Sequence, residues 1–187
     1  MDNYIKSQIE NTISSFQQLP YLFVGTGLSM RYAHAPSWNG LLYDIWKIIY
    51  PDKTVRDFEK LKQKIEMDIN LKFVDLKPEE QKYYVNPILA SNIEKNFCSL
   101  YYSSDNFDST VFTNKENDDI ISHRHNPFKY YVAKKLKEIV LDPSLPDYDE
   151  LQYLVQNQNK FAGIITTNYD SILENIFRDF TVLVGQD

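Results

Sequence analysis

Apolar positions along the chain repeat with two different periods. Ile5, Ile9, Ile13 and Phe16 recur at near-helical spacing with polar residues between them, so residues 2–18 are predicted to form a helix that Pro20 ends. Tyr21-Leu22-Phe23-Val24 is instead a short, wholly apolar run that stops at Gly25. Such a run reads as a strand buried on both faces, the signature of a parallel sheet. Gly25-Thr26-Gly27-Leu28-Ser29 follows as a turn. Trp38, Leu41, Leu42, Ile45, Trp46 and Ile49 then fall at helical spacing over 37–50, with Ser37 placed to cap the first turn and Pro51 to stop the last.

Helical patterning dominates residues 53–140. Phe58, Leu61, Ile65 and Ile69 make one stripe, and Pro87 to Tyr101 is a further helix. Pro127 to Val140 reads as an amphipathic helix with proline in its first turn. Residues 103–126 are polar and acidic and are expected to form an exposed connection. After another helix over 147–158, Ala162-Gly163-Ile164-Ile165-Thr166-Thr167 reads as a buried β-branched strand. Asn168-Tyr169-Asp170 turns the chain into a helix over 171–177, and Thr181-Val182-Leu183-Val184 reads as a third strand.

Strands separated by helices argue for the α/β class. The expected fold is a partial Rossmann-like parallel sheet, with a large helical insertion, about 40–158, between the first and second strands. Three strands are few for a doubly wound sheet, where about six are usual. The chain therefore reads as a single domain over 1–187 that is incomplete at its carboxyl end.

Composition removes several alternatives. A hydrophobic fraction of 43% belongs to a packed protein, not a disordered one. The net charge of −6 and the lack of a basic stripe argue against a nucleic-acid partner. Lys129, Lys134, Lys135 and Lys137 read as one solvated helix face. Neither a signal sequence nor a membrane-length apolar run is visible, so a cytoplasmic protein with no membrane partner is expected. Cys98 is the only cysteine, which excludes an internal disulfide and a cysteine-based zinc site, and its apolar neighbours point to packing. His123 and His125 alternate in a polar stretch, but two ligands without a third are not a metal site, and none is assigned.

Two segments carry candidate chemistry. A buried strand followed by Gly25-Thr26-Gly27 and a helix start has the geometry of a phosphate cradle, in which backbone N–H groups approach a pyrophosphate. Ser29 can add a hydroxyl and Arg31 a fork of donors. The usual fingerprint has a third glycine where this chain has Met30, and a loop that binds nothing is the competing reading. Thr167, Asn168 and Asp170 crowd the carboxyl end of the second strand, where open α/β sheets bind ligands. Helix capping needs one such residue and remains the alternative.

Taken in order, Leu22-Phe-Val-Gly-Thr-Gly-Leu-Ser with Pro36-Ser-Trp resembles the opening segment of SIR2-like (sirtuin-like) domains. Ile165-Thr-Thr-Asn-Tyr-Asp resembles that family's T-x-N-x-D segment, and Asn126-Pro-Phe-Lys-Tyr and Val182-Leu-Val-Gly-Gln resemble its branch in bacterial anti-phage defence. The resemblance implies NAD as ligand or substrate. Gly25, Thr26, Gly27 and Ser29 would contact its phosphates and ribose, with Arg31, Thr167 and Trp38 as further contacts. Asn168 would sit beside the nicotinamide ribose as the catalytic residue that positions water, and Asp170 would support the ribose or the nicotinamide end. The implied activity is cleavage of NAD to nicotinamide and ADP-ribose. One cysteine cannot make the zinc module of the deacylating sirtuins, and no His follows Asp170 where the family places a catalytic one. A non-catalytic module that binds NAD or ADP-ribose therefore stays open, as does an interaction domain in which both motifs are only turns. A homo-oligomer, or a fused or associated sensor subunit, is the implied partner.

Overall fold

The helices of the middle region start where the sequence supplies caps. In the computed structural model, which describes Ser7, Asn11, residues 18–103 and residues 107–185, Ser37 Oγ accepts the Gly40 N–H at 3.1 Å and opens a helix over Trp38–Ile49. To number the elements in chain order, a strand β1 (Tyr21–Val24) and a short helix α1 (Gly27–Ala33) come first, so this helix is α2. A reciprocal Thr54/Asp57 capping box opens α3 (Val55–Lys72), and a Thr113/Glu116 box opens α5 (Asn114–Ser122). Between them lies α4 (Pro78–Ser103), and α6 (Pro127–Lys137) follows. The chain closes with α7 (Tyr148–Gln156), β2 (Gly163–Thr166) and α8 (Ile172–Ile176). The helix expected over 2–18 lies outside the described residues, apart from Ser7 and Asn11, which are helical.

Two compact units result. The helical unit comprises residues 36–135, and the sheet unit combines the chain up to Ala35 with that from Leu136 onward. In the helical unit the expected stripe holds: Phe58, Ile65 and Ile69 of α3 are buried, and Leu61 packs beside them. They meet Leu42, Ile45 and Trp46 of α2 and Leu89, Ile93 and Phe97 of α4. Pro87 lies inside α4 and does not start it. Its missing N–H removes one helical bond, but buried Val85 and Leu89 on either side keep the helix continuous.

The exposed connection expected over 103–126 is corrected in part. Val111 and Phe112 are buried there, and Ile120 of α5 is fully enclosed. Polar residues dominate the composition of this stretch, but among the described ones Thr113 and Glu116 form a cap while three apolar side chains are inside. Phe112 meets Phe97 at 6.3 Å between ring centroids, and Phe97 also meets Phe128 and Tyr131. Lys134 is tied to Glu116 at 3.0 Å and is half-buried, so the lysines of α6 are not all a solvated face.

The α/β, Rossmann-like reading is overturned. Among the described residues 61% are helical, and the sheet consists of β1 and β2 alone, paired in parallel from Tyr21↔Gly163 to Val24↔Thr166. Thr181–Val184 forms no strand, and Leu183 there is 89% exposed. An apolar run marks a segment that can be a strand; a strand also needs a partner for its N–H and C=O groups. Among the described residues β1 and β2 have no further strand neighbour, and the packed cluster lies on one face of the pair. Leu22, Val24 and Ile164 pack against Leu173, Phe177, Leu154 and Val155, whereas Tyr21 is 65% and Phe23 69% exposed. A Cβ on Gly163 would lie 2.9 Å from the Tyr21 ring, which would have to shift to admit it. No helix among the described residues is long and apolar enough to cross a membrane.

Candidate functional site

The parallel pairing of β1 and β2 brings the two motifs to the same end of the sheet. Gly25 follows Val24 directly, and Thr167 follows Thr166, whose register partner is Val24. The Thr167 N–H continues the ladder to the Val24 carbonyl at 3.4 Å. Residues separated by about 140 positions in the chain therefore become neighbours because two short strands pair.

A polar network joins them. Ser29 Oγ donates to Asp170 Oδ2 at 2.6 Å and accepts from Asn168 Nδ2 at 3.1 Å. Asn168 Nδ2 also donates to the Gly25 carbonyl at 3.1 Å. Asp170 Oδ1 accepts the Ile172 N–H at 3.1 Å in a turn that leads into α8, whose N-cap is Ser171. The Asn168 N–H is taken by Thr166 Oγ1 at 3.0 Å. Ser29 is 1% exposed, so its hydroxyl is an internal strut and not a surface donor. Both oxygens of Asp170 are engaged, one with Ser29 and one with the first backbone N–H of α8, and the N-cap position itself is taken by Ser171 without a side-chain cap bond.

One atom of the network lacks a partner: Asn168 Oδ1 is shielded from solvent and accepts nothing among the described residues. A buried amide oxygen without a donor costs about 1–3 kcal/mol, so such an atom commonly marks a place where a ligand or water donates. The glycines give a second sign. Neither Gly25 nor Gly27 has a positive φ, and a Cβ on either would meet nothing within 4 Å. The turn therefore does not need glycine for its backbone, and the space over both residues is open.

The remaining sequence candidates divide. Thr26 precedes α1 without a side-chain cap bond, and Thr167 is exposed. Arg31 Nη2 lies 3.0 Å from Asp147 and 2.8 Å from Glu150, so the guanidinium is already shared by two carboxylates. Tyr32 donates to the same Glu150 at 3.1 Å, and burial, with Glu150 adding to it, pushes the phenol pKa up. Nothing in the pattern of apolar residues singles out Asp147 or Glu150 as partners of Arg31. His34 ends α1 in a left-handed conformation and lies 3.3 Å from Asp142. Trp38 belongs to the helical unit and opens α2. Burial raises the Cys98 thiol above its ordinary range, which suits the packing role read for it.

Comparison of the chain with protein-family models, with curated proteins and with solved structures gives no match. A cleft of about 580 Å³ in the helical unit, lined by Trp46, Tyr50, Lys53 and Asn96 among others, contains none of the motif residues.

Proposed function

We propose that the shared end of β1 and β2 binds NAD, and that the domain is of the NAD-hydrolysing, SIR2-like kind found in anti-phage defence. The single observation that carries this reading is the unpartnered oxygen of Asn168 beside the open face of Gly25 and Gly27. Those glycines leave room for a bulky, charged group such as a pyrophosphate to lie against the backbone. Asn168 Oδ1 accepts a hydroxyl of the ribose next to nicotinamide, and Ser29 and Asp170 hold the amide in that orientation. Gly25, Thr26 and Gly27 face the phosphates, with Thr167 at the rim. Arg31 reaches a phosphate only by sharing the charge it gives to Asp147 and Glu150.

Hydrolysis of NAD needs the ribose held, bulk water excluded and one water activated. An amide can donate to and accept from that water but cannot deprotonate it. His34, the histidine of the sheet unit, is engaged with Asp142 and lies outside the Ser29–Asn168–Asp170 network. That observation favours a second reading, in which the site binds NAD or ADP-ribose without turnover. Chromatography of nicotinamide released from NAD over hours separates the two. Release that Asn168→Ala abolishes supports hydrolysis. Binding without release supports the binding module, and a chain that neither binds nor cleaves NAD refutes both.

A further inference from the structure

The carboxyl end of α5 gathers three metal-ligating side chains that the sequence alone leaves as two. Asp119 and His123 lie one turn apart, and Asp119 Oδ1 is 2.9 Å from His123 Nδ1. The helix then ends in a Schellman turn. The Arg124 N–H donates to the Ile121 carbonyl at 3.3 Å and the His125 N–H to that of Ile120 at 2.9 Å. Arg124 takes the left-handed conformation at φ 53°, which folds His125 back toward His123. Their rings are 5.6 Å apart and inclined by 27°. One donor atom from each of Asp119, His123 and His125 lies within 4.8 Å of the other two.

We propose that Asp119, His123 and His125 form a binding site for a divalent transition-metal ion of the imidazole-preferring class, with zinc as its representative. Two imidazoles and one carboxylate are a common three-ligand protein set for zinc, and they leave a coordination position open to solvent. Tetrahedral coordination at bond lengths of ~2.1 Å sets ligand atoms roughly 3.4 Å apart. The pair already at 2.9 Å is close to that, and rotation of the exposed His125 side chain closes the remainder. An ordinary Asp–His pair at a helix end accounts for Asp119 and His123 but gives no role to a second imidazole stacked on the first. Other features of the place favour a cation. The cluster lies at the carboxyl end of α5, the negative end of the helix dipole. The Tyr130 ring lies 6.0 Å from that of His125, tilted by 39°, and so borders the cluster on one side. Glu116 is held by Lys134, so Asp119 is the carboxylate left for the ion.

The test is a calorimetric titration of zinc chloride into the full 187-residue chain after chelator treatment and dialysis. One ion is expected to bind per chain, with affinity reduced at least tenfold in both His125→Ala and Asp119→Asn and unchanged in His34→Ala. The substituted side chains lie at or near the surface, and an unchanged far-ultraviolet circular dichroism spectrum confirms that each variant is folded. Cobalt(II) gives a second readout: its visible absorption is expected to intensify on binding to the wild-type chain and not to His125→Ala. The proposal is overturned by absence of saturable one-to-one zinc binding, or by variants that bind zinc and cobalt as the wild type does. It does not depend on NAD binding in the sheet unit.

Discussion

In the helical unit, Ile45, Leu89, Phe97 and Ile120 are wholly shielded from solvent, and aromatic rings surround Phe97 on several sides. In the sheet unit the buried cluster around the strands is Val24, Leu173 and Phe177, while Tyr21, Phe23 and Ile165 show half or more of their surface. The first unit is held by packing. In the second, the ends of two short strands are tied by the Ser29–Asn168–Asp170 network, so directional polar bonds do what apolar contact does elsewhere. Stability and candidate NAD chemistry are thus concentrated in different parts of the chain. Binding sites are commonly drawn from the less stable parts of a fold, and the sheet unit fits that pattern.

The largest effect is expected from the packed unit. Phe97→Ala removes the ring at the centre of the aromatic cluster and is expected to cost about 3–5 kcal/mol, read from urea denaturation. A loss below about 1 kcal/mol contradicts the central place given to that ring. Next comes Ser29→Ala, which leaves Asp170 and Asn168 without their shared hydroxyl. A loss of about 1–3 kcal/mol is expected, confined to faster amide exchange at residues 25–29 and 168–172, with α4 unaffected. Equal acceleration in both units would show that the network and the helical core are one cooperative system.

A smaller effect concerns the cap of α5. The Thr113 N–H, with Lys134 and the Thr113 hydroxyl adding to it, holds Glu116 below its ordinary carboxylate range. Because the folded-state value is lowered, the stabilisation is complete above the ordinary value near 4.5 and is lost as pH falls through the folded one. Glu116→Ala is expected to cost about 1 kcal/mol at neutral pH, and the difference from wild type should disappear in acid. A difference that persists unchanged at pH 2 rules out the carboxylate as its source. The smallest expected change is a gain. Arg124→Gly relieves a left-handed arginine and should stabilise the chain by about 0.5 kcal/mol, because glycine's larger unfolded-state entropy offsets part of the relief. Thermal denaturation that shows a loss instead would mean that the Arg124 side chain makes contacts worth more than the strain.

Local periodicity located both strands and most helices, since each depends on residues close in sequence. Ser37 and Pro51 bounded α2 almost to the residue. The error lay in neighbours. A wholly apolar Tyr21–Val24 suggested cover on both faces, but cover depends on strands beyond the segment, and Thr181–Val184 does not supply one. In 103–126, polar composition concealed three buried side chains, because caps and outer faces outnumber them. Both glycine and Asn/Asp motifs were visible as candidates, yet their meeting through Ser29 spans most of the chain and no local pattern encodes it. Asp119 was findable: its i, i+4 spacing to His123 is present in the sequence, and only the turn that returns His125 was not.

The most direct test of the central claim is a calorimetric titration of NAD into the full chain and into Asn168→Ala. The wild type is expected to bind one NAD saturably, and the variant at least tenfold more weakly, a difference of about 1.4 kcal/mol or more. A chain that shows no saturable heat with NAD, or a variant that binds as the wild type does, would contradict the assignment of this site.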